Sequence, residues 1–185
     1  MSKVYIFIAE GFEEIEALTV VDLLRRAKLD IVMASVTGNK LVTGSHNIAV
    51  ITDILFEDTD FEDAAMLVLP GGMPGTTNLE KHEGLDRLLT DFHKRGKNLA
   101  AICAAPRVLG SKGLLTGKNA TCYPGHEESL IGAKYLDTDV VADGTIITSR
   151  GMGTAIDFSL SLIEKLKDKE EAARIAAAIQ YRYYR

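Results

Sequence analysis

Cysteine is scarce in this 185-residue chain, which holds only Cys103 and Cys122. They stand at no metal-ligand or redox-pair spacing. That excludes a disulfide framework and fits a reducing compartment. No basic tract gathers the 21 Lys and Arg, which face 26 Asp and Glu for a formal net charge of -5, so nucleic acid is not an expected partner. The apolar stretch of "MSKVYIFIAEGFEE" is far too short to span a bilayer, lacks a small-residue cleavage site and runs into acidic residues. Neither a membrane span nor a secretory signal is therefore expected, and the expected location is cytoplasmic. Internal repeats, low-complexity tracts and long linkers are missing too, as is any P-loop or phosphate fingerprint. What remains is 46% apolar and 25% charged, the composition of one globular domain over residues 1–185 with a sizeable core.

Strand and helix patterns alternate along the chain. "KVYIFIA" reads as a strand buried on both faces. "EEIEALTVVDLLRRAK" has helical spacing, with Ile15, Leu18, Val21 and Leu24 on one stripe, acids in its first turn and Arg25, Arg26 and Lys28 at its end. "DIVMASV" and "AAMLVLPGG" are further strands. "GLDRLLTDFHKRG" is a helix closed by Gly96, "NLAAIC" a strand and "APRVLGSKG" a helix. "VVADGTIITSRG" reads as a hairpin turned at Asp143-Gly144. "TAIDFSLSLIEKLK" and "KEEAARIAAAIQYRYY" are closing helices. The alternation predicts α/β layers around a mostly parallel sheet, in which ligands bind beyond the carboxyl ends of the strands. "AEGFEE", "PGGMPG" and "CAAP" would then share one rim.

Cys103 follows an apolar strand and precedes a helical pattern. It is either a small core residue or a nucleophile raised on a sharp strand-to-helix turn, where a helix start would favour thiolate. Ala104 and Ala105 leave room for close approach. The glycines of "PGG", residues 70–72, can turn main-chain N–H groups toward an oxyanion, or simply form a tight turn. Four carboxylates, Glu10, Glu13, Glu14 and Glu16, follow the first strand. A protonated one beside Cys103 would donate to sulfur and shuttle a proton; the rest are helix-start charges. No histidine adjoins Cys103. His82 and His93 fall in a charged helical region and read as solvated, leaving His126 in "CYPGHEES" as the histidine candidate. The ligand set for a metal is missing.

Taken together, "AEGFEEIEAL", "VLPGG", "AAICAAP" and "TSRGMGTAIDFSL" resemble the ThiJ/PfpI superfamily, on the branch of the Parkinsonism-associated deglycase and its bacterial relatives. The resemblance runs nearly end to end, with four motifs in order. It implies a flavodoxin-like three-layer sandwich, usually homodimeric. Cys103 matches the family's elbow nucleophile and Glu16 its protonated carboxyl partner. Gly71, Gly72 and Ala104 match the backbone donors of the oxyanion pocket, and Arg26 an arginine near the site and dimer contact. Two departures stand out. Ala104 replaces the histidine that follows the cysteine in the protease branch, which counts against peptidase activity. Tyr123 replaces a histidine before Pro124, leaving a hydroxyl in its place.

The resemblance implies a cofactor-free, cysteine-dependent enzyme acting on small reactive carbonyls, of glyoxalase or deglycase type, that turns methylglyoxal into lactate. The alternative is an oxidative-stress sensor or redox-regulated chaperone using the same cysteine. A homodimer is expected as well, from the resemblance and from the aromatic tail bearing Tyr181, Tyr183 and Tyr184, which is either a contact or a docked terminus.

Overall fold

The computed structural model describes residues 3–184. The chain builds one seven-stranded sheet with helices on both faces, in the order β10-β11-β7-β6-β1-β2-β5. These strands are β1 (Lys3–Ile8), β2 (Ile31–Ser35), β5 (Ile54–Leu55), β6 (Ala64–Leu69), β7 (Asn98–Ile102), β10 (Val140–Asp143) and β11 (Ile146–Ser149). All neighbours run parallel except β10, which pairs antiparallel with β11. Short antiparallel β3 (Leu41–Thr43) and β4 (Ala49–Ile51) form a separate hairpin, and β8 (Asn119–Ala120) pairs with β9 (Lys134–Tyr135). The helices are α1 (Glu14–Arg26), α2 (Gly75–Lys81), α3 (Glu83–Lys94), α4 (Pro106–Ser111), α5 (Ala155–Leu166) and α6 (Lys169–Ala178). This is the expected flavodoxin-like α/β sandwich.

Alternation along β1 divides the core. Val4, Ile6 and Ile8 face α1 and α5, against Val20, Leu24, Phe158 and Leu162. Tyr5 and Phe7 face the other layer, against Leu85, Leu89 and Phe92 of α3. Both faces are covered, so β1 reads as an unbroken apolar run.

Helix α1 departs from the simple amphipathic reading. Ile15 and Leu18, two of its apolar stripe, are exposed, whereas Glu14 and Glu16 are buried along with Ala17, Val20, Val21, Leu23 and Leu24. The helix is rotated so that its first turn presents Glu14 and Glu16 inward. Elsewhere the differences are small. The hairpin predicted at Asp143-Gly144 turns through Gly144 and Thr145, since Asp143 pairs with Ile146. His82 is not a solvated helix residue. It accepts a hydrogen bond from the Leu85 N–H (3.0 Å), caps α3 and packs on Phe56. His93 is half-buried. The tyrosine tail docks on α5, where Tyr181 donates to Asp157 and Tyr184 donates to Glu164; Arg185 lies outside the described residues. No helix among the described residues is long and apolar enough to cross a membrane.

The strand order places the switch point between β6 and β1, since β2 lies on one side of β1 and β6 on the other. The loops after β1, β6, β7 and β11 therefore meet at one rim. Their packing leaves no spare volume at Gly75, where a Cβ would sit 2.6 Å from the Gly11 carbonyl oxygen and 2.6 Å from the Phe12 nitrogen. Gly75→Ala should cost about 1–3 kcal/mol. Gly153→Ala, with nothing within 4 Å of the added carbon, should stay within about 0.5 kcal/mol of wild type. Urea unfolding of the two variants checks the pair.

Candidate active site

Cys103 joins β7 to the short α4 and holds a positive φ of 66°, a left-handed conformation that costs a non-glycine residue about 1–3 kcal/mol. Neighbouring main chain holds it there. The Cys103 N–H donates to the Ser149 carbonyl at the end of β11 (2.9 Å), and the Cys103 carbonyl accepts from the Tyr123 N–H (2.8 Å). Cys103 is partly accessible. Cys122, by contrast, is wholly buried. Of the two alternatives for Cys103, the raised turn describes the geometry.

Glu16 reaches the same point from α1. Its side chain is buried to 1% exposure, and its Oε2 accepts a 2.8 Å hydrogen bond from the Gly71 N–H. Gly71 is pressed between the two functional side chains. A Cβ there would stand 2.6 Å from Cys103 Cβ, 2.6 Å from Glu16 Oε2 and 3.0 Å from Cys103 Sγ. Glycine is therefore required for packing. Its N–H is already committed to Glu16, which removes Gly71 from the expected set of oxyanion donors. The N–H groups of Gly72 and Ala104 face the sulfur. Gly72, at φ 90°, is packed against the backbone of Phe12 and Glu13, and the Gly71 carbonyl accepts from the Glu13 N–H (2.9 Å). The β6 loop thus holds the start of α1 in place.

Burial pushes the Glu16 carboxyl up to about 7, against the hydrogen bonds from Cys103 and Gly71. Burial, then the Glu16 charge and its hydrogen bond, push the Cys103 thiol up to about 12. The expected lowering by a helix start is overturned, because α4 is six residues long and the backbone donors do not outweigh desolvation beside a carboxylate. Together these values describe a hydrogen-bonded pair that loses one proton near neutrality and keeps the second.

A cavity of about 430 Å³ opens onto this pair, lined by Glu13, Glu16, His46, Cys103, Tyr123, Pro124, Arg150 and the segment 151–154. Tyr123 stands in its wall, 51% exposed. His126 does not line it; its ring lies 6.4 Å from that of Tyr123. Arg26 is also absent from the lining. It sits in the last turn of α1, about 15 Å along the helix from Glu16, paired with Asp22 at 2.8 Å. The histidine that does reach the cavity is His46, carried by the β3–β4 hairpin. Sequence reading missed it, since nothing near position 46 signals that the hairpin folds over α1. Arg150 was missed similarly; it follows β11 and pairs with Asp137.

Burial works against the charged form of Glu14, but backbone N–H groups and His46 outweigh it and hold that carboxyl below the usual range. Glu14 in turn raises His46, with help from the Glu13 charge. Beside the cavity lies a wider groove of about 570 Å³, lined by Ile15, Leu18, Ile48 and Met152 along with Glu13, Glu14 and His46. It does not include Cys103 or Glu16, which line the smaller cavity.

A flavodoxin-like sandwich that lifts a strained cysteine against a buried carboxyl, at the carboxyl rim of its sheet, defines a class of α/β proteins with a cysteine elbow. Within that class, this chain belongs to the DJ-1/PfpI family, whose sequence profile matches residues 2–165. It is 35% identical over 186 residues to protein dj-1beta of Drosophila melanogaster, covering 99% of this chain and 100% of that one. It is 38% identical over 182 residues to protein DJ-1 homolog B of Arabidopsis thaliana, covering 97% of this chain. The chain spans less than half of that relative's length, 42%, and 45% of DJ-1 homolog A from the same plant. A deglycase from Pyrococcus abyssi is 30% identical over 167 residues, covering 89% of this chain and 99% of that one. Among solved structures, oxidized DJ-1 of Toxoplasma gondii superposes with a TM-score of 0.95 at 38% identity, covering 99% of this chain and 100% of that one.

Two outcomes follow from the geometry. Iodoacetamide should modify Cys103 well before the buried Cys122, as mass mapping of a limited reaction will report; modification of Cys122 first would refute the accessible elbow. The second outcome concerns stability. The folded Glu16 value of about 7 lies above its ordinary 4.5, so the folded chain holds this proton more tightly than the unfolded one. The resulting stabilisation is complete below about pH 4.5 and lost as pH rises through about 7, a span of about 3 kcal/mol. Urea unfolding of wild type and Glu16→Gln at about pH 5 and about pH 8 should therefore show wild type losing ground to the variant at the higher pH. A constant difference would mean that folding does not raise Glu16.

Proposed function

We propose that this protein is a cofactor-free enzyme acting on small reactive carbonyls, with Cys103 as nucleophile and Glu16 as its proton carrier. The observation that carries this reading is the buried Glu16 carboxyl, poised near neutrality against the elbow cysteine in a cavity open to a small substrate. The name of the Pyrococcus relative, a deglycase, supports the same class of chemistry.

With methylglyoxal, the Cys103 sulfur bonds to the aldehyde carbon and gives a hemithioacetal. The Gly72 and Ala104 N–H groups receive the developing oxyanion, which takes the proton lost by the thiol. Glu16 then removes the hydrogen of that carbon as a proton and returns it to the neighbouring carbonyl carbon, while the hemithioacetal hydroxyl proton passes to the ketone oxygen. The ketone becomes an alcohol and the adduct a lactoyl thioester. Water cleaves the thioester, restores the thiol and releases lactate. Tyr123 and Arg150 border the substrate. His126 and Arg26 have no part in these steps.

A second reading keeps the same cysteine as an oxidation sensor, and the oxidized state named for the Toxoplasma structure favours it. A sulfinate on Cys103 would accept the Glu16 proton in a charge-assisted bond. Peroxide treatment should then raise the melting temperature of wild type and not of Glu16→Leu; equal gains in both would dismiss that bond. Assembly as a homodimer also belongs to this proposal. Ile15, Leu18, Ile48 and Met152 expose an apolar face on and beside α1, and the tyrosine tail, being docked, is free of that role. Monomer mass in light scattering across micromolar concentrations would remove the dimer.

The test of the main reading is a methylglyoxal turnover assay. Cys103→Ser should abolish lactate formation, and Glu16→Gln should slow it by about 10²–10⁴-fold. Wild-type turnover in either variant would refute the assignment.

A further inference from the structure

The wall between the cysteine cavity and the apolar groove is built by Glu13, Glu14 and His46, at the point where the β3–β4 hairpin crosses the start of α1. One ligand-capable atom from each lies within 4.8 Å of the other two, the single such grouping among the described residues. His46 Nδ1 stands 3.0 Å from Glu14 Oε2 and 3.3 Å from Glu13 Oε2. A tetrahedral zinc ion with bonds of about 2.0–2.2 Å holds its ligand atoms roughly 3.3–3.5 Å apart. Small side-chain movements bring the set to that spacing.

The carboxylates are already oriented for such a role. Glu14 is buried, and its Oε1 accepts from the His46 N–H (2.8 Å) and the Ile48 N–H (3.4 Å), which leaves Oε2 toward the imidazole. Ser45 Oγ donates to Glu13 Oε2 at 3.2 Å. These contacts fix the ligand rotamers as outer partners do in metal sites. Two carboxylates and a neutral imidazole carry two negative charges, matched to a dication, and mixed nitrogen and oxygen donors suit zinc above magnesium or calcium.

We propose that Glu13, Glu14 and His46 form a binding site for a zinc-class divalent cation. The metal binds Nδ1 of the neutral imidazole, with the proton on Nε2; where His46 starts as an imidazolium, its Nδ1 proton leaves to solvent. Bound metal ties the 44–48 turn to the first turn of α1 and sets a fixed positive charge in the wall of the Cys103 cavity. Cys103 is not a ligand, and the proposal stands apart from the carbonyl-processing reading. His46 lies 32 positions beyond Glu14 and completes no metal-site spacing, which is why the metal set looked missing from the chain read linearly.

The experiment titrates the metal-free full-length protein with Zn²⁺ against a chromophoric chelator and follows the melting temperature with and without Zn²⁺. Wild type and Cys103→Ser should each bind one ion per chain and gain thermal stability from it. His46→Ala, a change at an exposed side chain, should weaken binding by at least about tenfold and lose the gain. Substituting Co²⁺ should give visible bands without a sulfur-to-cobalt charge-transfer band. Binding in His46→Ala equal to wild type, loss of binding in Cys103→Ser, or no stoichiometric uptake by wild type would each overturn the site. Should His46→Ala fail to fold, Glu13→Gln decides by the same comparison.

Discussion

The hydrogen bond from the Gly71 N–H to Glu16 Oε2 sits where three elements of the structure meet. It ties the loop after β6 to the first turn of α1, and it fixes the carboxyl against Cys103 at the end of β7. Side-chain volume supplies the constraint, because a Cβ at Gly71 would collide with both partners. Helix α1 accepts two buried glutamates to satisfy this arrangement, and two of its apolar residues are turned outward in consequence.

The two buried carboxylates are treated differently by their surroundings. Glu14 is surrounded by donors and its carboxyl is held low. Glu16 has one backbone donor and a thiol, and its carboxyl is driven up to about 7. Both are removed from water, so the contrast comes from the number of N–H groups each receives. Side chains two residues apart on one helix thereby hold opposite protonation tendencies at neutral pH. One anchors the hairpin over the cavity, and the other sits where a proton can move.

Strain at Cys103 is borne by its neighbours. Its N–H and carbonyl are both engaged, by β11 and by the loop after β8, so the left-handed backbone is held from two sides. That fixed turn keeps the sulfur at the rim, while Cys122, in the adjoining loop, stays in the core. Position relative to the sheet edge, rather than residue type, separates the two thiols.

The alternation of apolar strands and periodic helices was sufficient to determine the layered α/β fold, because each strand must be buried on both faces and each helix must cover one of them. It also determined that the segments after β1, β6 and β7 share a rim, since parallel strands put their carboxyl ends together. Cys103 was legible as a turn residue from its place between "NLAAI" and "APRVL". The choice of Glu16 among four carboxylates was not legible from local pattern, because the hydrophobic stripe of α1 predicts the wrong inward face; it came from resemblance, and the contact with Gly71 supplies its physical cause. Tertiary structure alone decided that Gly71 donates to Glu16 and not to an oxyanion, that Arg26 and His126 stand away from the cavity, and that His46 and Arg150 border it. Those facts depend on where loops cross one another. A loop crossing is a contact between residues distant in sequence, and its partners leave no periodic trace along the chain.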